Sequence, residues 1–103
     1  MEAKYKEPIF YHNGDFSSFL DATKISKEGI TLSPFNNLPD LKTLDIEFSF
    51  PKSDIVIKAN TNVISSGRKL FLEFNKLDKK SKQFIQNYIN SIKRSKTSSA
   101  SAV

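Results

Sequence analysis

The chain of 103 residues has the length of one domain, and its 38% hydrophobic fraction, with nine Phe and three Tyr, can form one core. It contains no Cys and a single His, which excludes a disulfide framework, a thiolate nucleophile and a multi-histidine metal site. The net charge is +5, but the segment from Lys76 to Lys96 alone carries +6 and the rest of the chain −1, a pattern typical of a solvated helix face.

The N-terminal third predicts short strands separated by turns. Asn13-Gly14 stands between apolar residues and is a strong hairpin signal, because both residues tolerate positive φ. A strand is predicted from about Phe16 to Ile25, and a short strand over Ile30–Leu32 follows the turn at 26–29. Residues 36–40 combine Asn, Pro and Asp and predict an exposed loop.

The middle of the chain alternates between apolar and polar residues, which is the pattern of half-buried strands. The alternation covers residues 43–50, 54–64 and 69–75, with short turns between the three runs. Three consecutive strands joined in this way predict an antiparallel meander. Phe71 is out of phase with the apolar face of its strand, so it either lies beneath the helix or marks an exposed partner surface.

The period of the pattern changes once, after Leu77, and predicts a single amphipathic helix over residues 78–94. Asp78 is the expected N-cap, since its carboxylate favours the positive end of the helix dipole. The apolar face of the helix consists of Phe84, Ile85, Tyr88, Ile89 and Ile92. The small polar residues that follow, 95–103, predict a disordered tail.

These elements predict one mainly β domain over residues 1–94. Five or six short strands leave exposed edges unless the sheet closes, and their apolar faces need a common interior. We therefore expect a small antiparallel β-barrel with one C-terminal helix packed on it. An open sheet covered by the helix is the alternative.

The order of elements, together with one local string, resembles a known family. The string K-I-S-K-E-G-I-T-L (24–32) lies on a strand–turn–strand unit, and a meander ending in K-L-F-L-E-F-N-K-L-D precedes the helix. Over about residues 16–92 this is similar to the PilZ domain, a six-stranded barrel with a C-terminal helix. The resemblance implies a receptor-type module for the bacterial second messenger cyclic di-GMP.

The family's nucleotide site combines an Arg-x-x-x-Arg pair in the N-terminal arm with an [Asp/Asn]-x-Ser-x-x-Gly string. Ser26 and Gly29 match that string, but Lys24 occupies the acidic or amide position. The arginine pair is absent, and the arm offers only Lys4 and Lys6, which lack the bidentate geometry of a guanidinium. The resemblance thus implies a ligand site at these five residues with weakened or lost binding. A plain turn would also favour a serine and a glycine here.

The expected function is therefore that of a non-enzymatic, PilZ-like regulatory or adaptor module that binds an unidentified protein partner. Loops with apolar anchors and charged helix ends are candidate contact surfaces. Here these are Phe35 and Leu38 in the loop before the meander, and Lys93 and Arg94 at the end of the helix. Phe35 and Leu38 could instead close the mouth of the barrel.

Two alternatives remain open: a genuine cyclic di-GMP receptor that uses its lysines, and a basic barrel that binds single-stranded nucleic acid. We expect no catalytic residues, metal or cofactor, because the chain lacks a glycine-rich phosphate loop and a paired acid constellation. No run of residues is apolar enough for a membrane span or a signal peptide. A cytosolic location is expected.

Overall fold

A computed structural model of the chain describes residues 2–13, 16–33, 42–67 and 69–101. Within these ranges the chain forms seven β-strands followed by one helix. Their bounds are β1 Glu2–Lys4, β2 Pro8–Asn13, β3 Phe16–Ser26, β4 Gly29–Leu32, β5 Thr43–Ser49, β6 Val56–Ser66, β7 Lys69–Lys76 and α1 Lys79–Ser101.

Six of these strands close into an antiparallel barrel in the order β3-β2-β5-β6-β7-β4, with β4 pairing back onto β3. Closure is possible because β3 is long and carries a register shift between Ala22 and Lys24. The seventh strand, β1, lies end to end with β2 along the same edge of β3. The predicted closed barrel with one C-terminal helix is confirmed, and β1 is an addition to it.

The alternating pattern of the sequence becomes the inside and outside of the barrel. In β5, Leu44, Ile46 and Phe48 are buried, whereas Asp45 is exposed and Glu47 is partly exposed. The predicted meander is confirmed, since β5 pairs with β6 and β6 with β7. The interior also contains one buried polar residue, Thr61, whose hydroxyl donates a hydrogen bond to the Leu44 carbonyl at 2.9 Å. This bond removes the penalty of burying an unpaired hydroxyl.

The predicted N-terminal hairpin is formed by β2 and β3, with Asn13 opposite Phe16. Its connecting residues, 14 and 15, lie outside the described residues. The last hairpin joins β6 to β7 through Gly67, which has a φ of 61°. A glycine favours this left-handed conformation because it has no Cβ to clash with the backbone.

The helix begins where the sequence predicts. The Asp78 carboxylate accepts the backbone N–H of Ser81 at 2.7 Å, and this hydrogen bond lowers the pKa of Asp78. At the other end α1 continues to Ser101, beyond the predicted end at Arg94, so residues 95–101 are helical where a disordered tail is expected. No Gly or Pro interrupts this stretch, and extending a helix that is already nucleated costs little free energy.

The predicted apolar face of the helix packs on the barrel. Ile85 and Ile89 are buried, and Phe84, Tyr88 and Ile92 are partly buried against the core. The helix contacts β1, the additional strand, and β3, the barrel strand with which β1 pairs.

A cluster of four aromatic rings joins the helix to the barrel. Tyr88 stacks on Phe50, with ring centroids 4.5 Å apart and an interplanar angle of 15°. Tyr5 meets Phe48, Phe50 and Tyr88 edge to face at 5.7–6.1 Å. The Tyr5 hydroxyl donates a hydrogen bond to the Ser49 carbonyl at 2.5 Å, and burial raises the pKa of Tyr5. Burial thus disfavours the charged phenolate still further, and the protonated hydroxyl donates to the carbonyl.

Replacing Ile89 by Asp should destabilise the fold by about 3 kcal/mol or more, because it buries a charge with no partner. The free energy of unfolding in urea measures the effect. The matched control is Asn87→Asp, which places the same new charge at an exposed position of the helix. This variant should change stability by less than about 0.5 kcal/mol. Equal effects at both positions would contradict the packing of this helix face.

Candidate functional site

The turn between β3 and β4 contains the string that carries the PilZ resemblance. Within it the Ser26 hydroxyl accepts the backbone N–H of Glu28 at 3.3 Å and lies 3.4 Å from the Gly29 carbonyl oxygen, to which it donates. A hydrogen bond with the Ser26 side chain also lowers the pKa of the Glu28 carboxyl. The hydroxyl is therefore already used to close its own turn, which is the role the plain-turn interpretation gives it.

Gly29 is held in close contact with β7. A Cβ at this position would lie 2.1 Å from the Leu72 carbonyl oxygen and 2.7 Å from Cζ of Phe71. The ring of Phe71 lies against this glycine and is itself partly buried. Neither the helix nor a partner is needed to explain why the ring is shielded. The glycine is required by the approach of two strands, whether or not a ligand binds.

Replacing Gly29 by Ala should therefore destabilise the protein by about 1–3 kcal/mol, because the added methyl group meets backbone that cannot move without opening the β4–β7 pairing. Denaturant unfolding measures the change. Gly67→Asn provides the comparison, since a Cβ there meets nothing within 4 Å and Asn tolerates a positive φ. An unchanged stability of the Gly29→Ala protein would show that the two strands are not in contact as described.

The lysines predicted to bind the ligand come together on the outer face of β1 and β3. Lys4 lies directly opposite Lys24, and Glu2 lies directly opposite Ser26. The Nζ atom of Lys24 is 3.3 Å from Oε1 of Glu2, and both side chains are about half exposed. Lys6 follows on the exposed side of the same segment. An incoming phosphate would therefore meet a carboxylate among the cations, which weakens its attraction.

The residues predicted to bind a protein partner are only partly covered by the structure. Phe35 and Leu38 lie outside the described residues. Lys93 and Arg94 belong to α1, but their side chains lie outside the described part of the chain. Their role as a contact surface stays a prediction.

An exposed aromatic pair on the barrel wall was not singled out from the sequence. Phe10 of β2 and Phe19 of β3 lie directly opposite each other, 50% and 60% exposed, with ring centroids 6.4 Å apart. A signal for Phe10 exists in the run Ile9-Phe10-Tyr11, because three consecutive apolar residues of a strand cannot all face the interior. We call Phe10 and Phe19 the aromatic patch.

Polar groups of mixed charge lie beside the aromatic patch. Glu47 is opposite Phe10 on β5, and its carboxylate is 3.5 Å from His12 Nε2 and 3.8 Å from Lys58 Nζ. Further along this face, Asp45 accepts a hydrogen bond from the Asn60 amide at 2.7 Å. Platforms for single-stranded nucleic acid place cations around their aromatic rings. The mixed charge here disfavours that alternative.

No group of three or more His, Cys, Asp or Glu side chains that could hold a metal ion occurs among the described residues. Nor does the described part of the chain contain a helix long and apolar enough to cross a membrane. A scan against models of protein families gave no match, and a search of curated proteins gave none either. The function is therefore inferred from the geometry of the chain itself.

Proposed function

We propose that the chain is a non-enzymatic, PilZ-like regulatory or adaptor module of bacterial cyclic di-GMP signalling. It acts by binding a protein partner, and its direct binding of cyclic di-GMP is weak or lost. The closed barrel with a C-terminal helix fits this proposal, as does the string over residues 24–32. The observation that supports partner binding most is the aromatic patch.

The aromatic patch has the anatomy of a small protein contact. Two large aromatic side chains lie side by side with half or more of their surface in water, and polar residues surround them. Interfaces have an apolar centre enriched in aromatic residues and a polar rim. Burying the exposed part of each ring contributes about 1–2 kcal/mol, which is a useful share of a specific interaction.

The weak nucleotide binding follows from how the matching residues are engaged. Ser26 closes its turn, and Lys24 lies against Glu2. The N-terminal arm offers Lys4 and Lys6 where the family has two arginines. Each charge-assisted contact that is lost costs about 1.5–3 kcal/mol, so two lost contacts weaken binding by about a hundredfold or more.

Calorimetric titration with cyclic di-GMP should therefore show no tight binding. A single-stranded oligonucleotide titrated in parallel should also fail to bind, because the groups beside the aromatic patch are of mixed charge and include the Glu47 carboxylate. A dissociation constant for cyclic di-GMP at or below about 1 μM, equivalent to about 8 kcal/mol, would instead support the receptor alternative. Binding of that strength should then be lost in a Lys24→Ala variant.

Replacing both Phe10 and Phe19 by Thr should abolish capture of the partner from a lysate of the cells that produce the protein, because it removes the apolar centre of the contact. Thr keeps the strand propensity of the positions. The control is Val56→Thr with Ile64→Thr, which removes two exposed apolar residues from β6 instead. Circular dichroism first establishes that both variants are folded. A partner captured equally by wild type and both variants would remove the aromatic patch from the proposal.

A further inference from the structure

A cleft of about 610 Å³ lies between the β3–β4 turn and the first half of α1. Its walls and floor are formed by Lys27, Leu77, Lys79, Lys82, Gln83, Ile85 and Gln86. The volume falls within the range of small-molecule sites. None of the residues predicted from the sequence to bind a ligand lines it, and it is separate from the aromatic patch.

The charge of the cleft is of one sign. Lys27 approaches from the turn, whereas Lys79 and Lys82 project from one face of the helix, three positions apart. All three lysines are exposed, and within the described part of the chain none of them makes an ion pair. Among the described residues, no acidic side chain lines the cleft. Like charges around one concavity repel each other, and a bound anion relieves that repulsion.

The acids closest in sequence lie outside the cleft wall, although Glu28 also interacts electrostatically with Lys27. Asp78 caps the helix through the Ser81 N–H, and a hydrogen bond with the Ser26 side chain lowers the pKa of Glu28. Both carboxylates reduce the positive potential nearby, but neither forms part of the cleft wall. Lys79 and Lys82 therefore remain available to an anion that carries more than one negative charge, and Lys27 adds a third cation whose charge Glu28 partly offsets.

The remaining lining residues indicate which other chemical groups a ligand of this cleft would have. Leu77 and Ile85 provide an apolar floor. The Gln83 and Gln86 amides each donate to an Asn one turn later, at 2.9 Å, which fixes their orientation. Oε1 of Gln86 is buried and has no hydrogen-bond partner among the described residues. Protein atoms enclose this oxygen, so it offers no acceptor to the cleft. The NH2 group of each amide has a second N–H, which can donate to a phosphate oxygen.

We propose that this cleft binds a small phosphorylated ligand that also has an apolar or aromatic body, a chemistry combined in nucleoside di- and triphosphates. The phosphates meet Lys27, Lys79 and Lys82, and the body lies over the apolar floor beside Gln86. This site is independent of partner binding through the aromatic patch and of the residues that match the PilZ string.

Calorimetric titration with ATP, inorganic pyrophosphate and adenosine tests the proposal. ATP should bind saturably, pyrophosphate more weakly because it has no body, and adenosine weakest because it has no charge. The ATP affinity should fall as salt is raised. Absence of saturable ATP binding would overturn the proposal. Pyrophosphate binding as tight as ATP would overturn the assignment of a nucleoside body.

Two pairs of substitutions distinguish binding at the cleft from nonspecific attraction of ATP to the positive net charge of the protein. Lys27→Gln with Lys82→Gln removes two cations of the cleft and should weaken ATP binding by at least about tenfold. Lys42→Gln with Lys69→Gln makes the same change in net charge at exposed positions outside the cleft and should change it by less than about twofold. Equal weakening by both pairs would show that ATP responds only to net charge.

Discussion

The packing of Tyr5 is the contact on which the position of the helix depends. This residue is only 1% exposed, and its ring touches aromatic side chains from β5 and α1 while its hydroxyl bonds the end of β5. A reciprocal bond runs from the Tyr88 hydroxyl to the carbonyl of Lys4, at 2.8 Å. The two tyrosines thus connect the segment of β1 and Tyr5 to the end of β5 and to α1. Burial raises the pKa of both phenols further above neutral pH, where a phenol is already a donor.

The position of the helix that these contacts set determines which surfaces the protein presents to a ligand or a partner. Because α1 is held across β1 and β3, its first half faces the β3–β4 turn, and the three lysines of the cleft share one concavity. The aromatic patch lies further back along β2 and β3, near the first hairpin, and does not involve the helix. The barrel therefore presents two separate surfaces with opposite chemistry, one charged and concave, the other apolar and flat.

The sequence predicted the parts of the fold that depend on local periodicity. The meander and the helix face follow from spacings of two and of three to four, which any window of the chain displays. Strand β1 was missed because only Ala3 and Tyr5 alternate there with lysines, a run too short to distinguish from an arm. The role of Tyr5 was missed for another reason. Its hydrogen-bond partner, Ser49, is 44 residues away, and no local pattern reports such a contact.

At the candidate site, a match to a sequence motif does not by itself indicate a functional role. Ser26 and Gly29 are both accounted for by the turn and by the β4–β7 contact, so their presence needs no ligand. Because the fold by itself requires these two residues, the string supports the architecture more strongly than it supports nucleotide binding. Groups that the fold does not use carry more information about function. In this chain those are the exposed rings of Phe10 and Phe19 and the unpaired ammonium groups of the cleft, since packing or charge pairing within the described residues explains neither.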